Sequence, residues 1–218
     1  MKTNYKAIIF DFDGVLNDTE EIKFDVWQKI AKKHGKKINK EFYIRNCCGR
    51  SGKKIAGDLV RKYGIPMKVD RLPKLMHKAS IPLLKKHMKP IKNNIQFLKK
   101  SNKIFKGNVG IASSQEIGML RYSLKKLKIF RYIREIVSGY KMKNTKPAPD
   151  LYLKICKKLK IKPKECIVVE DSEAGVKSAY NAGIGRIIAI PREFTRYQDF
   201  SKANIVIRKN SLKIKMLL

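Results

Sequence analysis

Residues 6–10, Lys-Ala-Ile-Ile-Phe, form a short apolar run rich in β-forming side chains that stops at the turn Asp11-Phe12-Asp13-Gly14. The pattern predicts a buried strand carrying acids at its C-terminal end. The period then changes. Ile22, Phe24, Val26, Trp27, Ile30 and Ala31 recur at helical spacing between Glu20 and His34, and Gly35 ends the series. Residues 40–87 remain helical in pattern. Ser51 is the expected N-cap, Gly64 and Pro66 break the series, and a further helix is expected over residues 72–84. No strand pattern interrupts this stretch.

After Pro90 the texture alternates. Helices are expected over 93–100, 118–128, 149–159 and 174–182, interleaved with strands over 109–112, 133–137, 166–169 and 186–190, and 204–207 reads as an edge strand. Strands separated by helices of this length predict a parallel sheet. The expected fold is an α/β, Rossmann-like, three-layer parallel sheet with an inserted all-α module. The core is assigned to residues 1–17 and 90–218 and the helical cap to residues 18–89.

A chain of 218 residues, 43% hydrophobic, is long enough to bury a full core. No stretch approaches the roughly 18–20 apolar residues of a membrane span, so a cytoplasmic address is the default expectation. The four cysteines, Cys47, Cys48, Cys156 and Cys166, include no Cys-x-x-Cys pair and lie away from His34, His77 and His87 at ligand spacing, which argues for free thiols and against zinc.

The charge changes the picture more. Fifty-one Lys and Arg against 18 Asp and Glu give +33, a field that concentrates any anion, phosphorylated metabolites and nucleic acid included. Lysine pairs such as Lys36-Lys37, Lys99-Lys100 and Lys157-Lys158 recur along the whole chain, as solvated helix faces would, and no aromatic-interleaved basic motif stands out. A compositional bias towards lysine would produce that spread, and a functional anion-attracting surface stays open beside it.

In an open parallel sheet the ligand crevice lies beyond the C-terminal strand ends. Four such ends carry chemistry: Asp11 and Asp13, Ser113-Ser114, Lys146, and Glu170-Asp171. Carboxylates suit a hard divalent ion, a hydroxyl with backbone N–H groups suits phosphate oxygens, and a lysine suits the remaining charge. Singly each has a plainer reading. Asp171 before a helix serves as an N-cap, Ser113-Ser114 as another, and an Asp-x-Asp pair also fits a glycosyltransferase-like metal motif. Their order and their common position at strand ends argue for phosphoryl transfer.

Asp11-Phe12-Asp13-Gly14-Val15-Leu16-Asn17-Asp18-Thr19-Glu20, Ile111-Ala112-Ser113-Ser114, Lys146-Pro147-Ala148-Pro149-Asp150 and Val169-Glu170-Asp171-Ser172-x-Ala174-Gly175 resemble, in order, the four motifs of the haloacid dehalogenase-like hydrolases. The branch they resemble holds β-phosphoglucomutase and small sugar-phosphate and phosphoglycolate phosphatases with a helical cap. The resemblance implies that Asp11 is a nucleophile forming an aspartyl-phosphate and that Asp13 is the general acid and base. It implies Mg2+ held by Asp11, the Asp13 backbone carbonyl and Asp171, with Glu170 acting through water. Ser113, Ser114 and Lys146 would clamp the phosphate, Gly14 would allow the tight turn beside it, and Arg50 in Gly49-Arg50-Ser51 would contact the distal part of the substrate.

The chain departs from the mutases at Lys23, where they carry a histidine that restrains the acid–base aspartate. Gln115-Glu116 also departs from the residues that grip a second phosphate, and Ile91 replaces a glycine at the cap hinge. The expectation is therefore a monomeric Mg2+-dependent phosphomonoester hydrolase acting on a small phosphorylated metabolite such as a sugar phosphate. A phosphohexomutase is the alternative, and the charge leaves open a nucleic-acid-binding protein or polynucleotide 3′-phosphatase.

Overall fold

The first apolar run pairs on both sides. In the computed structural model, which describes residues 4–208 and 212–213, β1 (Ala7–Phe10) places Ile8 opposite Val109 of β2 (Val109–Ser113) and opposite Ile167 of β4 (Cys166–Glu170), all parallel. β3 (Glu135–Ser138), β5 (Arg186–Ala189) and the two-residue β6 (Ile205–Val206) complete a parallel sheet ordered β3-β2-β1-β4-β5-β6. β1 and β4 are buried along their whole length, as continuous apolar runs in a two-sided parallel sheet must be. The order reverses at β1, which opens a crevice at its C-terminal end between β1, β2 and β4.

Helices cover both faces. α5 (Lys92–Ile104) and α6 (Ile117–Lys126) pack Leu98, Leu120 and Leu124 against Ile8, Phe10 and Ile111. α7 (Asp150–Leu159) and α8 (Glu173–Asn181) pack Ile155, Val176 and Ala179 against Ala7, Ile9 and Val168. Alternate residues of β1 thus serve opposite layers, as the strand period requires. The expected strand over 133–137 begins later, at Glu135, because Phe130–Tyr132 coil into a 3-10 turn first.

Between β1 and α5 the chain forms α1 (Glu20–Lys32), α2 (Lys40–Asn46), α3 (Gly52–Tyr63) and α4 (Leu72–Lys86). Their apolar faces close on a core of their own that includes Trp27, Tyr43, Leu59 and Leu72. Gly64 ends α3 in the left-handed conformation, φ 61°, that glycine adopts without steric penalty. The outgoing and returning chains run side by side: the Asp18 amide donates to the Lys89 carbonyl at 2.8 Å and the Ile91 amide to the Leu16 carbonyl at 2.9 Å.

A third connection comes from the segment after β5. Phe194 inserts into the helical core against Phe24 and Tyr43, with ring centroids 6.4 and 6.3 Å away. Arg196 pairs with Glu41 at 3.2 Å, and Gln198 donates to the Cys48 carbonyl at 2.8 Å while accepting from the Glu173 amide at 2.8 Å. All four cysteines are buried free thiols. Truncating Phe194 to alanine leaves a ring-sized void, for which about 3–5 kcal/mol of destabilisation is expected. Urea denaturation of Phe194→Ala checks this, and an unchanged midpoint would show that the insertion contributes nothing.

Candidate functional site

The Asp11 amide donates to the Val169 carbonyl at 3.0 Å, which carries the ladder one residue beyond β1 and sets the Asp11 carboxylate beside Glu170 and Asp171. The turn that follows is tight because Gly14 has φ 75° and donates to the Asn17 carbonyl at 2.8 Å. A Cβ on Gly14 would overlap the Asp171 carboxylate, so the glycine is needed for space as well as for conformation. Buried Asn94 of α5 pins the loop by donating to the Val15 carbonyl at 2.7 Å.

Lys146, on the loop before α7, reaches into the crevice with Nζ 2.7 Å from Asp11 Oδ1 and in contact with Glu170 Oε1. Glu170 is fully buried and its acceptor capacity is taken up. Oε1 accepts from Lys146 and from the Tyr152 hydroxyl at 2.8 Å, and Oε2 accepts from the Asp171 amide at 3.0 Å, the Ser172 amide at 3.2 Å and the Ser172 hydroxyl at 3.1 Å. A Cβ on Gly175 would overlap the same carboxylate. The spacing Glu170-Asp171-Ser172-x-x-Gly175 is therefore the local requirement for folding a buried anion onto the N-terminus of α8.

Burial pushes the Asp11 carboxyl up, Lys146 pulls it back down, and the balance leaves it at about 7. Burial, with the negative charges of Glu170 and Asp11, raises Asp171 well above the usual carboxylate range. Lys146 would be depressed by burial, but Asp11 and Glu170 hold it above an ordinary lysine. One ammonium thus stands among three crowded carboxylates, and ligand oxygens from Asp11, Glu170 and Asp171 lie within 4.8 Å of one another. A buried, oxygen-only donor set with uncompensated negative charge fits a hard divalent cation.

The Asp13 side chain points elsewhere. Its Oδ1 accepts from the Thr19 hydroxyl at 2.9 Å, and its Oδ2 is 3.5 Å from Lys23 Nζ, itself 2.7 Å from Glu20. Burial alone would depress Lys23, but Asp13 and Glu20 raise it. The position where the mutases carry a histidine is thus filled by a cation facing Asp13.

Ser113 ends β2, fully buried, and its hydroxyl accepts from the Gln115 amide at 3.1 Å, while Ser114 is exposed at the cavity wall. Neither serine caps α6. Glu116 does, accepting from the Gly118 and Met119 amides at 2.9 and 3.0 Å, which removes the capping explanation for the pair. A cavity of about 350 Å³ joins Asp11, Asp13, Ser114, Lys146 and Asp171 to residues of the helical module, among them Trp27, Arg50 and His77. Arg50 borders it with Nη1 held by Asp58 and, at 2.6 Å, by the Asn46 carbonyl. A second cavity of about 420 Å³ lies beyond Gly14 and Asp171 and includes neither Asp11 nor Lys146.

Residues 8–189 match the haloacid dehalogenase-like hydrolase family model. The chain belongs to this family. A phosphorylated carbohydrates phosphatase of Thermotoga maritima is 29% identical to this hydrolase over 188 residues, 85% of each chain. The β-phosphoglucomutase of Bacillus subtilis is 28% identical over 223 residues, 94% of this chain and 90% of the mutase. The crystal structure of CbbY from Rhodobacter sphaeroides in complex with phosphate superposes with a TM-score of 0.79 at 20% identity, covering 93% of each chain, and so shares the fold.

Four contributors to the site lie outside the motif-by-motif reading: Tyr152, Thr19 as a partner of Asp13, Lys23 and Asn94. Tyr152 occupies a core position of α7 by spacing, and nothing in the pattern marks its hydroxyl as the one aimed at Glu170. Removing that hydroxyl deprives a buried carboxylate of one donor, so Tyr152→Phe is expected to lower the hydrolase's stability by about 1.5–3 kcal/mol. Chemical denaturation checks this, and a neutral result would mean that Lys146 and the amides suffice to hold Glu170.

Proposed function

We propose that the hydrolase cleaves phosphate monoesters of small metabolites, sugar phosphates foremost, through an aspartyl-phosphate on Asp11. The observation that carries this is the Asp11 carboxylate fixed at the C-terminal end of β1, 2.7 Å from Lys146 and grouped with Glu170 and Asp171 at the floor of a cavity. The phosphatase and mutase names of its relatives support the same chemistry.

In this reading an Asp11 oxygen attacks phosphorus and the ester P–O bond breaks, while Asp13 gives its proton to the leaving alkoxide. Water then attacks the phosphorus of the acyl phosphate, its proton passes to Asp13, and Asp11 is released as carboxylate. The sum is ester plus water to alcohol plus inorganic phosphate. Lys146, the Ser113 hydroxyl and the Ser114 backbone offer donors for the non-bridging oxygens. The Thr19 hydroxyl and Lys23 hold Asp13 on the helical side of the cavity, where a leaving group would sit. Arg50 serves the distal part of the substrate and would exchange some of its present contact with Asp58 for it.

Mg2+ fits the donor set, with Asp11, Asp171 and the Asp13 backbone carbonyl as ligands and Glu170 as the brace behind them. When bound it supplies positive charge to offset the carboxylates and the transferring phosphoryl group. Helices α1 to α4 act as a lid that excludes water before the phosphate is placed. Hydrolysis is favoured over phosphohexose isomerisation by Lys23, which stands where the mutases have histidine.

Asp11→Asn is expected to abolish phosphate release from an aryl phosphate with the fold intact by circular dichroism; retained turnover would sink the nucleophile assignment. Asp13→Asn should lose about 10²- to 10⁴-fold. Incubation with a hexose 1-phosphate should release inorganic phosphate, whereas accumulation of the 6-phosphate would establish the mutase. Mg2+ at about 100 times its dissociation constant adds about 2.7 kcal/mol, a rise in Tm of roughly 5–10 °C for a chain of this size. The rise should vanish in Asp171→Asn, and its persistence there would place the ion elsewhere.

A further inference from the structure

We propose that the face built by α5, α6 and the 3-10 turn after them binds the phosphate backbone of nucleic acid without reading its sequence. Lysine pairs are spread along the chain, but carboxylates are not. Between residues 71 and 134 stand 17 Lys and Arg and one acid, Glu116. Eleven of those cations fall between residues 92 and 134, and among the described residues none has a carboxylate within 4 Å, whereas cations at the helical module and around α8 repeatedly do. Glu116 itself is turned onto the first turn of α6 as its cap.

The fold makes these cations contiguous. Tyr122 of α6 carries Lys126 at 5.7 Å and, from the end of α4, Lys85 at 5.1 Å; Tyr132 carries Lys99 of α5 at 5.8 Å and Arg131 at 5.0 Å; Phe130 carries Lys125 at 5.7 Å. Asn102 ties α5 to the turn by donating to the Tyr132 carbonyl at 2.8 Å. Aromatic rings thus lie between basic residues in space although no linear motif shows it. Such an unneutralised band, with rings on which bases stack, suits a polyanion with a phosphate repeat. Lysine predominates over arginine in it, which supplies point charge but little bidentate base recognition. An anionic bilayer is the weaker match, because among the described residues the only large apolar side chains well exposed on this face are Tyr122 and, at its end, Ile117.

The test is fluorescence anisotropy with a mixed-sequence 20-nucleotide single-stranded RNA titrated with the full chain over 50–300 mM salt. A variant with Lys100, Lys103, Lys125 and Lys128 replaced by Gln is compared with a control of equal charge, in which Lys36, Lys37, Lys54 and Lys68 are replaced by Gln. Phosphate release by both should match wild type, which establishes that both are folded. Each phosphate contact contributes about 0.7 to the slope of log affinity against log salt on a single strand. The band variant should therefore bind at least tenfold more weakly at 150 mM salt and lose up to about 3 from the slope, while the control stays within twofold. Equal losses in the two variants, no binding at 150 mM salt, or binding to phosphatidylserine vesicles without binding to the RNA would each overturn the proposal.

Discussion

The Lys146 ammonium, held between Asp11 and Glu170, is the interaction on which the site depends. Three carboxylates buried at the ends of adjacent strands repel one another and lose their hydration, and such a cluster does not persist unless opposite charge and donors are supplied. Lys146 supplies the charge from a separate loop, and Tyr152, the Ser172 hydroxyl and the amides of Asp171 and Ser172 just before α8 supply the donors. The compensation is uneven. Glu170 is satisfied on both oxygens, whereas Asp11 has one lysine contact and Asp171 lies against the space left by Gly14. The remaining negative charge sits where a divalent ion and a phosphate would share it.

That unevenness divides the acids by role. Glu170 is a brace whose position is set by five donors and by the missing side chain of Gly175. Asp11 and Asp171 are less fully compensated, Asp11 by the single contact with Lys146. Asp13 stands apart, coupled through Thr19 and Lys23 to the start of α1, so its orientation depends on where the helical module sits. The same module is joined to the sheet layer by Phe194 and Gln198, which run from the end of β5 into the helical core and back to the Glu173 amide. The contacts that orient Asp13 and those that hold the helical module on the sheet layer thus belong to one connected set.

The sheet was legible in the sequence because buried parallel strands read as short apolar runs, and the ends of β1, β2 and β4 fell where the acids and serines stand, while Lys146 reaches the same crevice from the loop before α7. The helical insert was legible from its period. What pattern could not show was which way a polar atom on an apolar face would point. Tyr152 reads as a core residue of α7 and Asn94 as a polar residue of α5, yet each is placed by a contact with a separate element, Glu170 of β4 and the loop after β1. Lys23 reads as an absent histidine, and its place is set by Glu20 one helical turn away and by Asp13. The N-cap expected at Ser51 occupies its position without a side-chain hydrogen bond, and the capping function near Ser113-Ser114 passed to Glu116. Local signals located the ends of elements better than they located the donor that satisfies them.

The charge of the chain and the charge of the site oppose each other, and distance decides which one matters. With a net charge of +33 the exterior attracts phosphate esters and repels divalent cations on approach. At physiological ionic strength a surface charge is screened over about 8 Å, whereas buried groups are screened far less. Within the crevice the local balance therefore follows Asp11, Glu170, Asp171 and Lys146, and the exterior lysines govern encounter. This separation lets one chain carry an anion-attracting surface around a cation-attracting centre. It also explains how the α5 and α6 face can accumulate unpaired lysines without disturbing the site, since the carboxylates that could have neutralised them lie elsewhere in the fold.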